Sequence, residues 1–143
     1  MTFLLDVNVL LILHDRLHQH YKLVSRWFAQ TGVKSFATCP MTQSGFIRLL
    51  THGVPGLGPF DMTEVRNALK NIVEQPGHVF WPDIPPWLDC TQSLSARLQG
   101  HRQTTDAYLL GLAIHNRGKL ATLDRGISHL AGPEFSRQVE LIS

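Results

Sequence analysis

Three aspartates hold the pattern in this chain that can do chemistry. Asp6 ends the apolar run Phe3-Leu4-Leu5, and Asp124 ends the run from Leu120 to Leu123. Asp106 opens a segment, Ala107 to Ile114, that is apolar on nearly every helical face. In open α/β sheets ligands gather outside the carboxyl ends of the strands. Carboxylates at those ends therefore share one crevice however far apart they lie in the chain. Two such charges about 4 Å apart repel by roughly 4 kcal/mol at an effective dielectric near 20, so three of them need protons or a cation. Mg²⁺ or Mn²⁺ suits them, because hard cations prefer carboxylate oxygens and keep several waters. The common use of such a centre is to position a phosphodiester and activate water for in-line attack. Each residue alone has a plainer reading. Asp6 can cap a helix, Asp106 can be a first-turn acid, and Asp124 before Arg125-Gly126 can be a turn residue. Only their joint placement carries the functional reading.

The elements that must hold them are legible as an alternation of strands and helices. Phe3–Leu5 reads as a buried parallel strand and Val7–Leu13 as a helix capped by Asp6. Tyr21, Val24, Trp27 and Phe28 repeat at helical spacing, with Gly32 as the stop. Ser35–Cys39 is a second strand closed by Pro40, and Thr42–Leu50 a helix with Phe46, Ile47, Leu49 and Leu50 inward. The Gly- and Pro-rich stretch Gly53–Pro59 marks a loop. Asp61 and Glu64 form a capping-box pattern for a helix with Met62, Val65, Leu69, Ile72 and Val73 on one stripe. Val79–Trp81 is a short edge strand, Pro82–Trp87 is irregular, and a helix through Leu94 and Leu98 stops near Gly100. Thr104 or Thr105 caps the Asp106 helix. Leu120–Leu123 and Val139–Ile142 are the last strands. This order implies a mostly parallel sheet with helices on both faces, in one domain over residues 1–143.

Composition narrows the classes further. The chain has 143 residues, 43% of them hydrophobic and 17% charged, so it folds by burial. Its formal net charge of +2 argues against a polyanion-coating protein, although eight His can add charge at lower pH. Cys39 and Cys90 form neither a CxxC knuckle nor a disulfide framework, which points to the cytoplasm. The opening, Met1 to Leu13, reads as neither a signal peptide nor a membrane span, since it has Asp6 and Asn8 and lacks a basic lead. His14, His18 and His20 lack the partners that would complete a zinc site. Trp81, Trp87 and the Pro-rich stretch between them read first as loop packing against the core.

Four motifs together resemble a known family. Leu4-Leu5-Asp6-Val7-Asn8-Val9-Leu10 is similar to the opening of PIN-domain ribonucleases, the VapC toxins of bacterial toxin–antitoxin pairs. Cys39-Pro40-Met41-Thr42-Gln43-Ser44-Gly45-Phe46 resembles their second signature. Thr104-Thr105-Asp106-Ala107-Tyr108-Leu109-Leu110 and Leu120-Ala121-Thr122-Leu123-Asp124-Arg125 resemble the third and fourth. The resemblance implies a three-layer PIN-like α/β fold and RNA cleavage by a divalent metal, Mg²⁺ or Mn²⁺, held by an acidic quartet. It also implies a homodimer and a cognate antitoxin protein that inserts a peptide into the cleft. Carried over by position, Asp6, Asp106 and Asp124 are metal ligands or orienters of metal-bound water. Asn8, Thr104, Thr105 and Thr122 support them through hydrogen bonds, although these residues also serve as ordinary caps and strand residues.

One position departs from the family. Its second acid, usually a Glu after Thr, is Gln43 here. A neutral carbonyl oxygen lowers both the repulsion in the centre and its affinity for metal, and it cannot act as a general base. An attenuated catalyst is the expectation, and the alternative is a PIN-like module that binds RNA or an antitoxin without cutting. Arg48, His101, Arg102 and Arg125 lie near the acidic motifs in sequence and are the candidate contacts to RNA phosphates. A phosphoaspartyl enzyme of the haloacid-dehalogenase type would need a second Asp at position 8, which is Asn. A receiver would need paired early acids.

Overall fold

In the computed structural model, which describes residues Met1–Ser143, β1 (Phe3–Leu5) is buried on both sides and forms the middle of a sheet. It pairs in parallel with β2 (Phe36–Thr38) on one flank and with β4 (Lys119–Thr122) on the other. The edges are β3 (His78–Phe80) beside β2 and β5 (Val139–Leu141) beside β4. All five strands are parallel, in the order β3-β2-β1-β4-β5. The chain builds outward from β1 through β2 to β3, then returns to the other side of β1 for β4 and β5. The point where the winding reverses therefore lies between β1 and β4, and the crevice of a doubly wound sheet opens there.

Alternation along the strands assigns the two faces. Phe3 and Leu5 of β1 and Phe36 of β2 enter one core with α1 (Val7–Leu13), α2 (Tyr21–Gln30), α3 (Pro40–His52) and α4 (Met62–Val73). Leu4, Ala37 and Leu120 enter the other, with α5 (Trp87–Thr91), α6 (Thr104–His115) and α7 (Arg125–Ala131). The fold is the expected three-layer α/β arrangement with helices on both faces of the sheet. α6 is buried from Ala107 to Ala113, as a helix apolar on nearly every face must be.

Several boundaries differ from the sequence reading for local reasons. α3 starts at Pro40, because a proline whose missing N–H would be unpaired anyway suits the first helical position. α2 ends at Gln30 with Thr31 as its C-cap. Gly32 is required instead by the rings of Trp27 and Phe28, which leave no room for a Cβ. Met62 is 52% exposed and lies off the buried stripe of α4, which is made by Val65 and Ile72. The helix expected through Leu94 and Leu98 is shifted: α5 ends at Thr91, Leu94 is in a 3₁₀ segment (Gln92–Arg97), and Leu98 is extended. α7 follows Asp124, where the sequence reads only a turn. Trp81 is buried against the second core, as expected of loop packing, whereas Trp87 opens α5 and is 38% exposed.

Candidate active site

The site is built at the carboxyl ends of β1 and β4. The β1 ladder continues one residue past the strand, with the Asp6 N–H donating to the Ala121 carbonyl at 3.0 Å. This pins the Asp6 backbone beside the end of β4. Its side chain is only 8% exposed. One carboxylate oxygen caps α1 by accepting from the Val7 N–H at 2.8 Å, and the other accepts from the Thr122 hydroxyl at 2.8 Å. Thr122, fully buried at the end of β4, also accepts from the Asp124 N–H at 3.0 Å. One hydroxyl thus ties the two strand-end acids together across the switch point. Asp124 is the N-cap of α7, accepting from the Gly126 N–H at 2.8 Å. Gly45 lets α3 lie directly on Val7, whose Cγ2 a Cβ there would meet at 2.8 Å. That close approach fixes the start of α1, and with it Asp6.

Asp106 reaches the same neighbourhood from the first turn of α6. Its carboxyl is pushed up to about 6, first by burial and then by the charges of Asp6 and Asp124. Burial also raises Asp6. The bonds from Thr122 and Val7 oppose that rise, and the charge of Asp124 adds to it. Asp106 thus feels the charges of Asp6 and Asp124, and Asp6 that of Asp124, and no cationic side chain forms an ion pair with any of the three. The single ion pair in the protein is Lys70–Glu74, on the surface of α4. The carboxylates do not form a ready-made cage, since no three ligating side chains gather around one point. Capping and ligation are compatible roles for Asp6 and Asp124, because a carboxylate has about four lone-pair sites.

The remaining candidates divide. Thr122 touches two of the three acids. Asn8 is exposed in the first turn of α1, at the mouth of a cleft that also holds Leu123. Thr104 and Thr105 are corrected: both lie inside α6, exposed, and neither hydrogen-bonds to an aspartate. Thr104 donates to the His101 carbonyl at 2.9 Å, and Gln103 occupies the N-cap position. Gln43 turns to the β3 side. Its amide donates to Thr38 Oγ1 at 3.0 Å, and Thr38 Oγ1 lies 2.7 Å from His78 Nε2. It lines a groove between α3, α4 and β3 that contains none of the three aspartates. Arg48 is on the exposed face of α3, and Arg125 is the first residue of α7. His101 and Arg102 form an exposed 3₁₀ turn before α6. Sequence reasoning missed His78 and also Asp83, which follows β3 and lies beside Cys39 and Met41. The signal for Asp83 was available, since it is a further acid just beyond a strand run.

No family model matches the chain. Over 132 residues it is 39% identical to ribonuclease VapC29 of Mycobacterium tuberculosis, covering 92% of each chain. To ribonuclease VapC44 of the same species it is 34% identical over 139 residues, covering 96% of each. To ribonuclease VapC38 it is 34% identical over 140 residues, 98% of this chain and 97% of the relative. Among solved structures it is similar to a chain in the crystal structure of VapBC2 from Rickettsia felis bound to a DNA fragment from their promoter. That match has a TM-score of 0.68 and 11% identity over the whole of both chains. At that identity, the likeness is one of fold.

Proposed function

The chain belongs to the VapC ribonucleases, and from that membership we propose that it is the toxin of a toxin–antitoxin pair, a cytoplasmic, metal-dependent endoribonuclease attenuated by Gln43. The observation that carries the proposal is the Thr122 hydroxyl that ties Asp6 to Asp124 at the switch point, with Asp106 within reach of both charges and no cationic partner among them. Their donor set fits a hard divalent cation. It consists of carboxylate oxygens only, with a charge excess that raises Asp106.

Asp6, Asp106 and Asp124 would hold Mg²⁺ or Mn²⁺. When bound, the ion supplies charge stabilisation at the scissile phosphate and a water acidic enough to attack at neutral pH. The protein's own part is orientation. Thr122 and the Val7 N–H each donate to one oxygen of Asp6, which fixes the carboxylate plane. Thr122 also holds the Asp124 backbone. Outer partners of this kind commonly change metal affinity or activity by 10–100-fold when removed. Arg48, His101, Arg102 and Arg125 serve the RNA backbone, and an antitoxin and a second copy of the chain are the protein partners.

Gln43 contributes no charge to this centre, and its hydrogen bond to Thr38 favours the second reading, a module that binds RNA without cutting it. Cleavage of single-stranded RNA in Mg²⁺ and in Mn²⁺ separates the two. The wild type is expected to cleave weakly, Asp6→Asn not at all, and Gln43→Glu faster than wild type. If the wild type is silent and Gln43→Glu active, the binding-module reading holds for this chain. If Gln43→Glu gives no gain over an active wild type, Gln43 belongs to the β2–β3 scaffold alone.

A further inference from the structure

A cleft of about 570 Å³, lined by residues next in the chain to Asp6 and Asp124, has no role in the proposed chemistry. Asn8 lies two residues after Asp6 and Leu123 one residue before Asp124, so the cleft shares the ends of β1 and β4 with the site. Its floor is apolar, made by Leu11, Ile12, Leu49, Leu57 and Leu123. Its rim is polar, with Asn8, Asp15, His18, Gln19 and His20. The volume falls within the roughly 300–1,000 Å³ of ordinary small-ligand clefts.

No Lys or Arg lines it. Such a cleft has little to offer a phosphate or an acidic peptide. What it offers is a flat apolar surface, two imidazole rings, two primary amides and one carboxylate. Unpaired RNA bases are bound in this way, with the ring stacked on aromatic or apolar side chains and the edge met by donors and acceptors. Asn and Gln each present both a donor and an acceptor, and a carboxylate accepts from an exocyclic amine. His18 is held ready. The His20 N–H donates to its Nδ1 at 3.0 Å, which leaves Nε2 with the proton, and the two rings lie 5.6 Å apart.

We propose that this cleft takes the unpaired nucleobase next to the scissile phosphate, so that the loop between α1 and α2 sets a base preference at the cut. The proposal rests on the ribonuclease reading above. Phosphates then lie over the aspartates, and the neighbouring base is turned into the cleft.

The test uses the full-length protein with a short single-stranded RNA of random sequence, cleaved in Mn²⁺ and sequenced at the new ends. A second arm uses RNAs of one cleaved sequence with single abasic positions along it. We expect a base preference on one side of the cut, and a loss of cleavage confined to the abasic position on that side. His18→Ala and Gln19→Ala, on an exposed loop, should flatten the preference. They should raise KM by roughly 5- to 150-fold with kcat little changed, which is the ~1–3 kcal/mol that stacking one base contributes. Leu57→Arg, which fills the floor, should do the same, and a circular dichroism spectrum reports whether that variant folds. Equal cleavage of abasic and intact RNA by an active enzyme overturns the cleft assignment and leaves the ribonuclease intact. The same holds if cleavage by these variants is unchanged while inhibition by the antitoxin is lost, in which case the cleft belongs to the antitoxin peptide. If the wild type cleaves nothing, anisotropy of the labelled RNAs decides. Base-dependent binding that His18→Ala weakens upholds the cleft without the nuclease, and base-independent binding overturns the cleft assignment.

Discussion

At Asp106, burial and two neighbouring carboxylates act in the same direction, and the consequence can be measured without any substrate. Its carboxyl is pushed up to about 6 in the folded protein, against an ordinary value of 3.8. Between those two values the folded chain holds the proton more tightly than the unfolded chain does. Stability therefore falls as pH rises through that window, and the loss is complete above it. Asp106→Asn should remove this slope. In EDTA the variant is expected to be more stable than wild type at pH 7, by on the order of 1 kcal/mol once solvent screening at a half-buried carboxyl is allowed for. Near pH 3.5 the difference should vanish. Urea denaturation across that range measures both ends, and an Asp106→Asn protein no more stable than wild type at pH 7 would separate Asp106 from the other two acids. Asp6, Asp106 and Asp124 are readable from sequence because Asp6 and Asp124 each end an apolar run and Asp106 opens one. Thr122 was readable only through its motif, since a buried strand hydroxyl looks the same whether or not a carboxylate lies across from it. The direction of Gln43 was not readable at all. Its partner, Thr38, lies on β2, and the first turn of α3 can aim a side chain to either side.

The elements show the same division between local and long-range causes. β1, α1, α4 and β5 have their expected positions because their signals are local: apolar runs, the Asp6 cap, and the Asp61 cap with Glu64. The region after β3 departs from the sequence reading because its helix, α5, is defined by what it touches. Five residues, Trp87–Thr91, have little helical periodicity of their own. They are held by packing on α6, where Gly111 lies against the Cys90 carbonyl and sulfur. Sequence reasoning treats a glycine in mid-helix as a weakness, since Ala is favoured there by up to ~1 kcal/mol. Here the contact reverses that preference. Gly111→Ala puts a methyl group into the Cys90 backbone and should destabilise the fold by about 1–3 kcal/mol, as overpacking of a core does. A thermal melt of the variant several degrees below wild type is the expected outcome. An unchanged or higher melt would mean that α5 yields freely, and that the α5–α6 seam is not what buries Cys90.

Taken whole, the molecule places three aspartates about its central crevice and leaves its cations scattered. A net charge of +2 cannot hold RNA by bulk attraction. Affinity must come from a few exposed cations and from contacts to bases. Arg48, Arg102 and Arg125 are exposed on three separate elements, and His101 adds charge only when protonated. Counterion release from single strands gives a slope of about −0.7 in log K against log salt for each phosphate contacted. With about three such contacts the slope should be near −2, far shallower than for proteins that coat polyanions. Fluorescence anisotropy of a labelled single-stranded RNA with Asp6→Asn protein, which does not consume the probe, gives this slope directly. Replacing Arg48, Arg102 or Arg125 with Ala should flatten it by about 0.7 each if each meets one phosphate. His18→Ala should weaken binding while leaving the slope as it was, because stacking releases no counterions. A slope steeper than about −4 would require more phosphate contacts than one crevice of this chain supplies. In that case a second copy, bringing its own cations to the same strand, becomes part of the RNA-binding unit.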